Sequence, residues 1–89
     1  MSVKVRMSPL LARYIKSQPS METNGDTVGE CLKYLEEQFP KLKLFEKNGR
    51  LLSYLIISVN KEIVPSEELF TKPVKDGDEL SVMLMIAGG

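Results

Sequence analysis

Few residues of this chain could do chemistry. Histidine is absent from all 89 residues, and cysteine occurs once, as Cys31. Without imidazole there is no Ser-His-Asp or Cys-His arrangement and no His-ligated zinc. One thiol cannot close an internal disulfide or build a cysteine cluster. Asp76, Asp78 and Glu79 lack the full pattern of a calcium loop and read as a solvated hairpin turn. Glu36 and Glu37, like Glu67 and Glu68, are sequence neighbours, which diverge in direction on a helix and make no acid/base pair. What remains is the terminal carboxyl of Gly89, preceded by Gly88. That carboxyl is ionised at neutral pH, with an ordinary pKa of about 3.5, and is a poor electrophile. To react it must first become an acyl-adenylate, which an activating enzyme makes from ATP in a water-poor site reached by a narrow channel. Glycine has no Cβ and accepts conformations closed to other residues, so Gly88 and Gly89 suit such a passage.

The composition is that of one small domain with no catalytic equipment of its own. Twelve basic and twelve acidic side chains cancel, and 43% of residues are apolar, an ordinary globular balance. A neutral chain lacks the basic footprint of a nucleic-acid binder, and no apolar run reaches the ~18 residues of a membrane span. A single thiol and no secretory signal point to a reducing compartment, the cytoplasm. A chain this short buries one thin core. Residues 1–87 are expected to form one domain, with 88–89 a flexible diglycine tail.

The elements that position this tail follow from periodicity. Ser2 to Met7 alternates polar and apolar residues, with Val3, Val5 and Met7 inward. Leu10 to Lys16 forms a helical turn or packed loop, and Gln18 to Thr23 a second strand at an edge, where Pro19 is tolerated. Thr27-Val28-Gly29-Glu30 has the pattern of a capping box. It opens a helix whose apolar face is Val28, Cys31, Leu32, Leu35 and Phe39, and Pro40 ends it. Cys31 on that face acts as a small hydrophobe. Lys41 to Arg50 is a polar connection carrying Leu42, Leu44 and Phe45, with a turn at Asn48-Gly49 and basic residues that read as solvated. Tyr54 to Asn60 is a strand rich in aromatic and β-branched residues, and Glu62 to Val64 a short return strand. Leu69 and Phe70 plug the core from a loop. Glu79 to Ala87 is the last strand, with Leu80, Val82, Leu84 and Ile86 facing one way and Ser81, Met83 and Met85 the other. One amphipathic helix must then cover one face of one sheet. Such an α+β plan, a mixed sheet of four to five strands under one main helix, matches the β-grasp or ubiquitin-like fold, in which the first and last strands pair in parallel.

The stretch Val59-Asn60-Lys61-Glu62-Ile63-Val64, then Leu69, then Val74-Lys75-Asp76-Gly77-Asp78-Glu79-Leu80, then Ala87-Gly88-Gly89, resembles the MoaD/ThiS family of ubiquitin-like sulfur carriers. The resemblance implies that an E1-like enzyme of MoeB or ThiF type adenylates Gly89 with ATP. A sulfur donor then turns the adenylate into a thiocarboxylate. It implies no permanently bound cofactor or metal, and no enzymatic activity in the carrier itself. Gly88 and Ala87 would thread the tail into the partner. The acceptor it implies first is molybdopterin precursor, on a synthase such as a MoaE-like large subunit. Alternatives are the thiazole of thiamin, a cysteine or methionine precursor, or target lysines if the chain is a protein modifier. Many molybdopterin-type carriers have prolines where this chain has Leu84 and Met85. The Glu46 to Arg50 segment resembles longer-loop relatives, which include cysteine-synthesis carriers and archaeal small modifiers.

A docking surface follows from the outward face of the last strand. Met83 and Met85, with Ile56 beside them and Ile86 leading to the tail, are expected to form an apolar patch for the partner enzymes. Arg6 on the first strand adds a charged rim.

Overall fold

A computed structural model describes residues 2–85. Alternation along Ser2–Met7 produces strand β1, with Val3, Val5 and Met7 buried and Ser2, Lys4 and Arg6 exposed. Ser8 caps the short helix α1 (Pro9–Tyr14), its hydroxyl accepting from the Leu11 N–H, and Pro9 takes the first turn, where no N–H is needed. Strand β2 (Ser20–Asn24) returns antiparallel to β1.

Helix α2 (Val28–Gln38) begins where Thr27 accepts from the Glu30 N–H at 3.2 Å. The expected reciprocal bond is shifted by one residue: the Glu30 carboxylate accepts from the N–H of Asp26 at 3.0 Å rather than from the cap itself. The helix stops at Phe39, which is extended ahead of Pro40. Val28, Cys31, Leu32 and Leu35 are buried against the inward residues of the sheet.

Strand β3 (Leu55–Val59) and the two-residue β4 (Glu62–Ile63) form a hairpin, and β5 (Glu79–Leu84) closes the sheet. The order is β2-β1-β5-β3-β4. The central pair β1–β5 is parallel, with Val5 opposite Leu80, and the other pairings are antiparallel. This is the expected α+β, β-grasp arrangement, with α2 on one face. The face away from α2 carries Lys4, Arg6, Ile56, Ser58, Ser81 and Met83, which are exposed or half-buried.

Two expectations need correction. Phe70 does not plug the core: Leu69 is buried, whereas Phe70 is 47% exposed. Its ring lies over Gly29 and 5.7 Å from the ring of Phe45. The backbone of α2 approaches the ring because residue 29 has no side chain. Asp78 is not a solvated turn residue. Its side chain is buried, with Oδ1 accepting from Asn60 Nδ2 at 3.1 Å and Oδ2 from the Lys75 N–H at 2.9 Å. The turn itself is as expected, with Gly77 at φ +90, a conformation that favours glycine.

The connection from α2 to β3 is less polar than its composition suggests. Leu42, Leu44 and Phe45 are buried. Glu36 Oε2 accepts from the N–H groups of Leu44 and Phe45, at 2.8 and 3.1 Å, and pins the connection to the helix.

Candidate functional site

The described chain ends beside β3. Strand β5 ends at Leu84, and the Met85 N–H donates to the Tyr54 carbonyl at 2.7 Å, extending the ladder by one residue. Met85 is thus the last anchored position among the described residues. Gly89, Gly88, Ala87 and Ile86, expected as the reactive end, the threading residues and part of the patch, lie outside the described residues.

The remaining patch residues share the face away from α2, because side chains alternate along a strand. Ile56 and Met83 are register partners across β3 and β5. Met83 is 41% exposed, Met85 54%, and Ile56 half-buried between them. The structure divides the patch into two hollows joined by the Ile56–Met83 pair. On the β1 side, Arg6 and Met83 line a groove of about 490 Å³ with Pro9, Pro19 and Ser20. On the β3 side, Ile56 and Met85 line a smaller hollow of about 250 Å³ with Ile63 and Leu51.

Several contributors escaped the sequence reading. Leu10, 62% exposed, shares a further hollow with Met83 and Pro9. Ile63, 70% exposed on β4, borders the Met85 hollow. A short strand that puts an isoleucine outward was a usable signal. The prolines were not, since their place beside Arg6 follows from how α1 and β2 pack around β1.

Among the described residues no side chain is set up as a reactive centre. Burial, and after it the negative charge of Glu30, push the Cys31 thiol up to about 11, so it stays protonated and inert. No cluster of three potential metal ligands occurs among the described residues. The backbone N–H of Lys75 and then the side chain of Asn60 hold the Asp78 carboxyl below its ordinary range, but both bonds serve the turn. No helix of the described residues is long and apolar enough to cross a membrane. The arrangement presents an apolar surface around Ile56, Met83 and Met85, with Arg6 at its rim, at the end of β5.

Comparisons with known proteins bear on the family and the fold. The sequence profile of the ThiS family matches residues 10–89. The sulfur carrier protein CysO of Mycobacterium tuberculosis is 28% identical over 93 aligned positions that cover all of both chains. In the crystal structure of the Amycolatopsis orientalis BexX/CysO complex, the similar chain has a TM-score of 0.83 and 30% identity, covering 98% of this chain and 99% of that one. The small archaeal modifier protein 1 (SAMP1) of Methanosarcina acetivorans, known from a solution structure, has a TM-score of 0.82 and 26% identity, over 99% and 96% of the two chains.

Proposed function

This chain belongs to the ThiS family, and from that premise we propose that it is a sulfur carrier of the ThiS/CysO type, loaded at Gly89. The observation that carries the reading is that the family match runs through Gly88 and Gly89, three and four positions beyond Met85, the last anchored position among the described residues. It is not an enzyme: its relatives include the carrier CysO, and the chemistry belongs to its partners.

The steps follow from the carboxylate. An E1-like enzyme of MoeB or ThiF type binds the face away from α2 through Ile56, Met83, Met85 and Ile86, with Arg6 at the rim. The Gly89 carboxylate oxygen attacks the α-phosphorus of ATP, releasing pyrophosphate and leaving an acyl-adenylate. Sulfide displaces AMP to give the thiocarboxylate directly; a persulfide displaces AMP to give an acyl disulfide, and a thiol then attacks its S–S bond, releasing the thiocarboxylate and leaving the donor sulfur in a new disulfide. Gly88 and Ala87 keep the tail thin enough to enter both active sites. The carrier holds no cofactor, and ATP is consumed by the activating enzyme. The reducing cytoplasm suits both the thiocarboxylate and the free Cys31.

Sequence reasoning put molybdopterin first among acceptors. The relatives at 28% and 30% identity are instead named CysO, one of them in complex with BexX. They support an acceptor of the cysteine or methionine type, on a dedicated sulfur-accepting enzyme, over a MoaE-like subunit. The likeness to SAMP1 at 26% identity supports a second reading, a modifier joined to lysine amines through the same carboxyl.

Incubation with an E1-like enzyme, ATP and a sulfide source, followed by intact-mass analysis, tests the first reading. The expected outcome is an oxygen-to-sulfur mass increase that a variant lacking Gly88 and Gly89 never shows. Failure of the full chain to gain sulfur with a competent enzyme sinks it. Recovery of Gly-Gly remnants on lysines of cellular proteins establishes the modifier reading.

A further inference from the structure

Deepening the docking surface above, and resting on the carrier reading, we propose that the Arg6 groove selects a segment of the partner enzyme that carries an aspartate or glutamate beside an apolar side chain. The argument starts from which charges on this face are already balanced. The strand register puts Lys4 between Glu22 on β2 and Glu79 on β5, a cation flanked by two carboxylates. Two residues on, Arg6 lies between Ser20 and Ser81. Opposite side chains in a sheet are about 5 Å apart at Cβ, so Lys4 has anions as neighbours and Arg6 has hydroxyls. Among the described residues, the one ion pair within 4.0 Å is Lys33–Glu36, on the far side of the domain, on α2.

The rest of the groove offers a peptide backbone almost nothing. Pro9 and Pro19 have no N–H. The Pro19 carbonyl accepts from the Met7 N–H at 2.7 Å, and the Ser8 N–H donates to the Val82 carbonyl at 2.8 Å. An added strand would find no ladder here. The polar capacity left is the Arg6 guanidinium, with the Ser20 hydroxyl and the Gln18 amide, above walls of Pro9, Pro19 and Met83. A planar fork of donors matches a carboxylate in two-point contact, and the walls take an apolar side chain next to it. Gly89 follows Met83 by six positions, so a partner held here has the reactive carboxyl within about 21 Å.

Two measurements decide it. The first is an NMR titration of the isotope-labelled full chain with end-blocked Leu-Glu-Leu and Leu-Lys-Leu peptides. Shifts confined to the amides of Arg6, Ser20 and Met83, given by the glutamate peptide only and lost in Arg6→Glu, are expected. Equal shifts from both peptides, no shifts from either, or shifts of the same size from inorganic phosphate overturn the proposal. The second is loading of Gly89 by the E1-like enzyme. Rim charges act on encounter, so Arg6→Glu is expected to raise KM roughly tenfold with kcat unchanged and to weaken the salt dependence, while Lys4→Glu stays within about twofold. Equal losses in the two variants overturn it. A wild-type chain that is never loaded sinks the carrier reading alone, and the titration still decides the groove.

Discussion

Asn60 and Asp78, eighteen residues apart, fasten two turns to each other. Asn60 Nδ2 donates to Asp78 Oδ1 at 3.1 Å, and Asn60 Oδ1 accepts from the Glu79 N–H at 3.0 Å. The other oxygen of Asp78 accepts from the Lys75 N–H. The β3–β4 turn is thereby tied to the start of β5, the strand that delivers the tail. Asp78→Ala removes a charged acceptor from two donors and is expected to destabilise by about 2 kcal/mol in denaturant unfolding. The pH dependence has a definite sign. The folded carboxyl is held low, so its stabilisation is complete above the unfolded value of about 3.9 and is lost as pH falls through the lower folded value. The gap between wild type and Asp78→Ala is therefore expected to narrow in acid.

Lys61 bears the same turn at φ +75, next to Asn60 at φ +50. Val59 pairs with Glu62 across them, a two-residue hairpin of the type that wants positive φ at both centres. Asparagine tolerates that region and lysine does not. Lys61→Gly is expected to raise stability by about 1 kcal/mol, the relief of strain exceeding the added chain entropy. An unchanged or lower melting temperature would contradict this.

Gly29 sits inside α2 for a steric reason. A Cβ there would lie 2.4 Å from the Phe70 ring. Alanine favours helix over glycine by about 1 kcal/mol, yet Gly29→Ala is expected to destabilise because the ring must be displaced. In a Phe70→Ala background the same change is expected to stabilise by about 1 kcal/mol. The double-mutant cycle reads the sign reversal directly.

Cys31 has a thiol held near 11 by burial. At pH 8 its alkylation by iodoacetamide is expected to follow the opening rate of the domain and to become fast only in denaturant. The linkage sign is opposite to that of Asp78: the stabilisation is complete below the unfolded value of about 8.5 and disappears as pH rises towards the folded value. Fast labelling of the native chain at pH 8 would show the site to be open.

The elements of this fold were legible because each is a local pattern. Alternation in Ser2–Met7, three-four spacing from Val28 to Leu35 and the Pro40 stop each need only neighbours along the chain. The outward exposure of Met83 and Arg6 follows from the same alternation. Glu36 shows where local reading ends. Its sequence neighbours identify a surface position, whereas its carboxylate accepts two N–H groups eight and nine residues on.

The sequence by itself determined the element order, the absence of imidazole chemistry and the glycine-ended tail, since these depend on residue identity and short-range periodicity. Tertiary structure alone decided that Asp78 is buried against Asn60 and that Phe70 rests on Gly29 rather than in the core. It also placed Arg6 between hydroxyls in a proline-walled groove, whereas Lys4 lies between carboxylates. Those outcomes depend on cross-strand register and on loops meeting across the fold. Register assigns neighbours that no local pattern contains, and a slip of one residue would turn Lys4 and Arg6 to the other face.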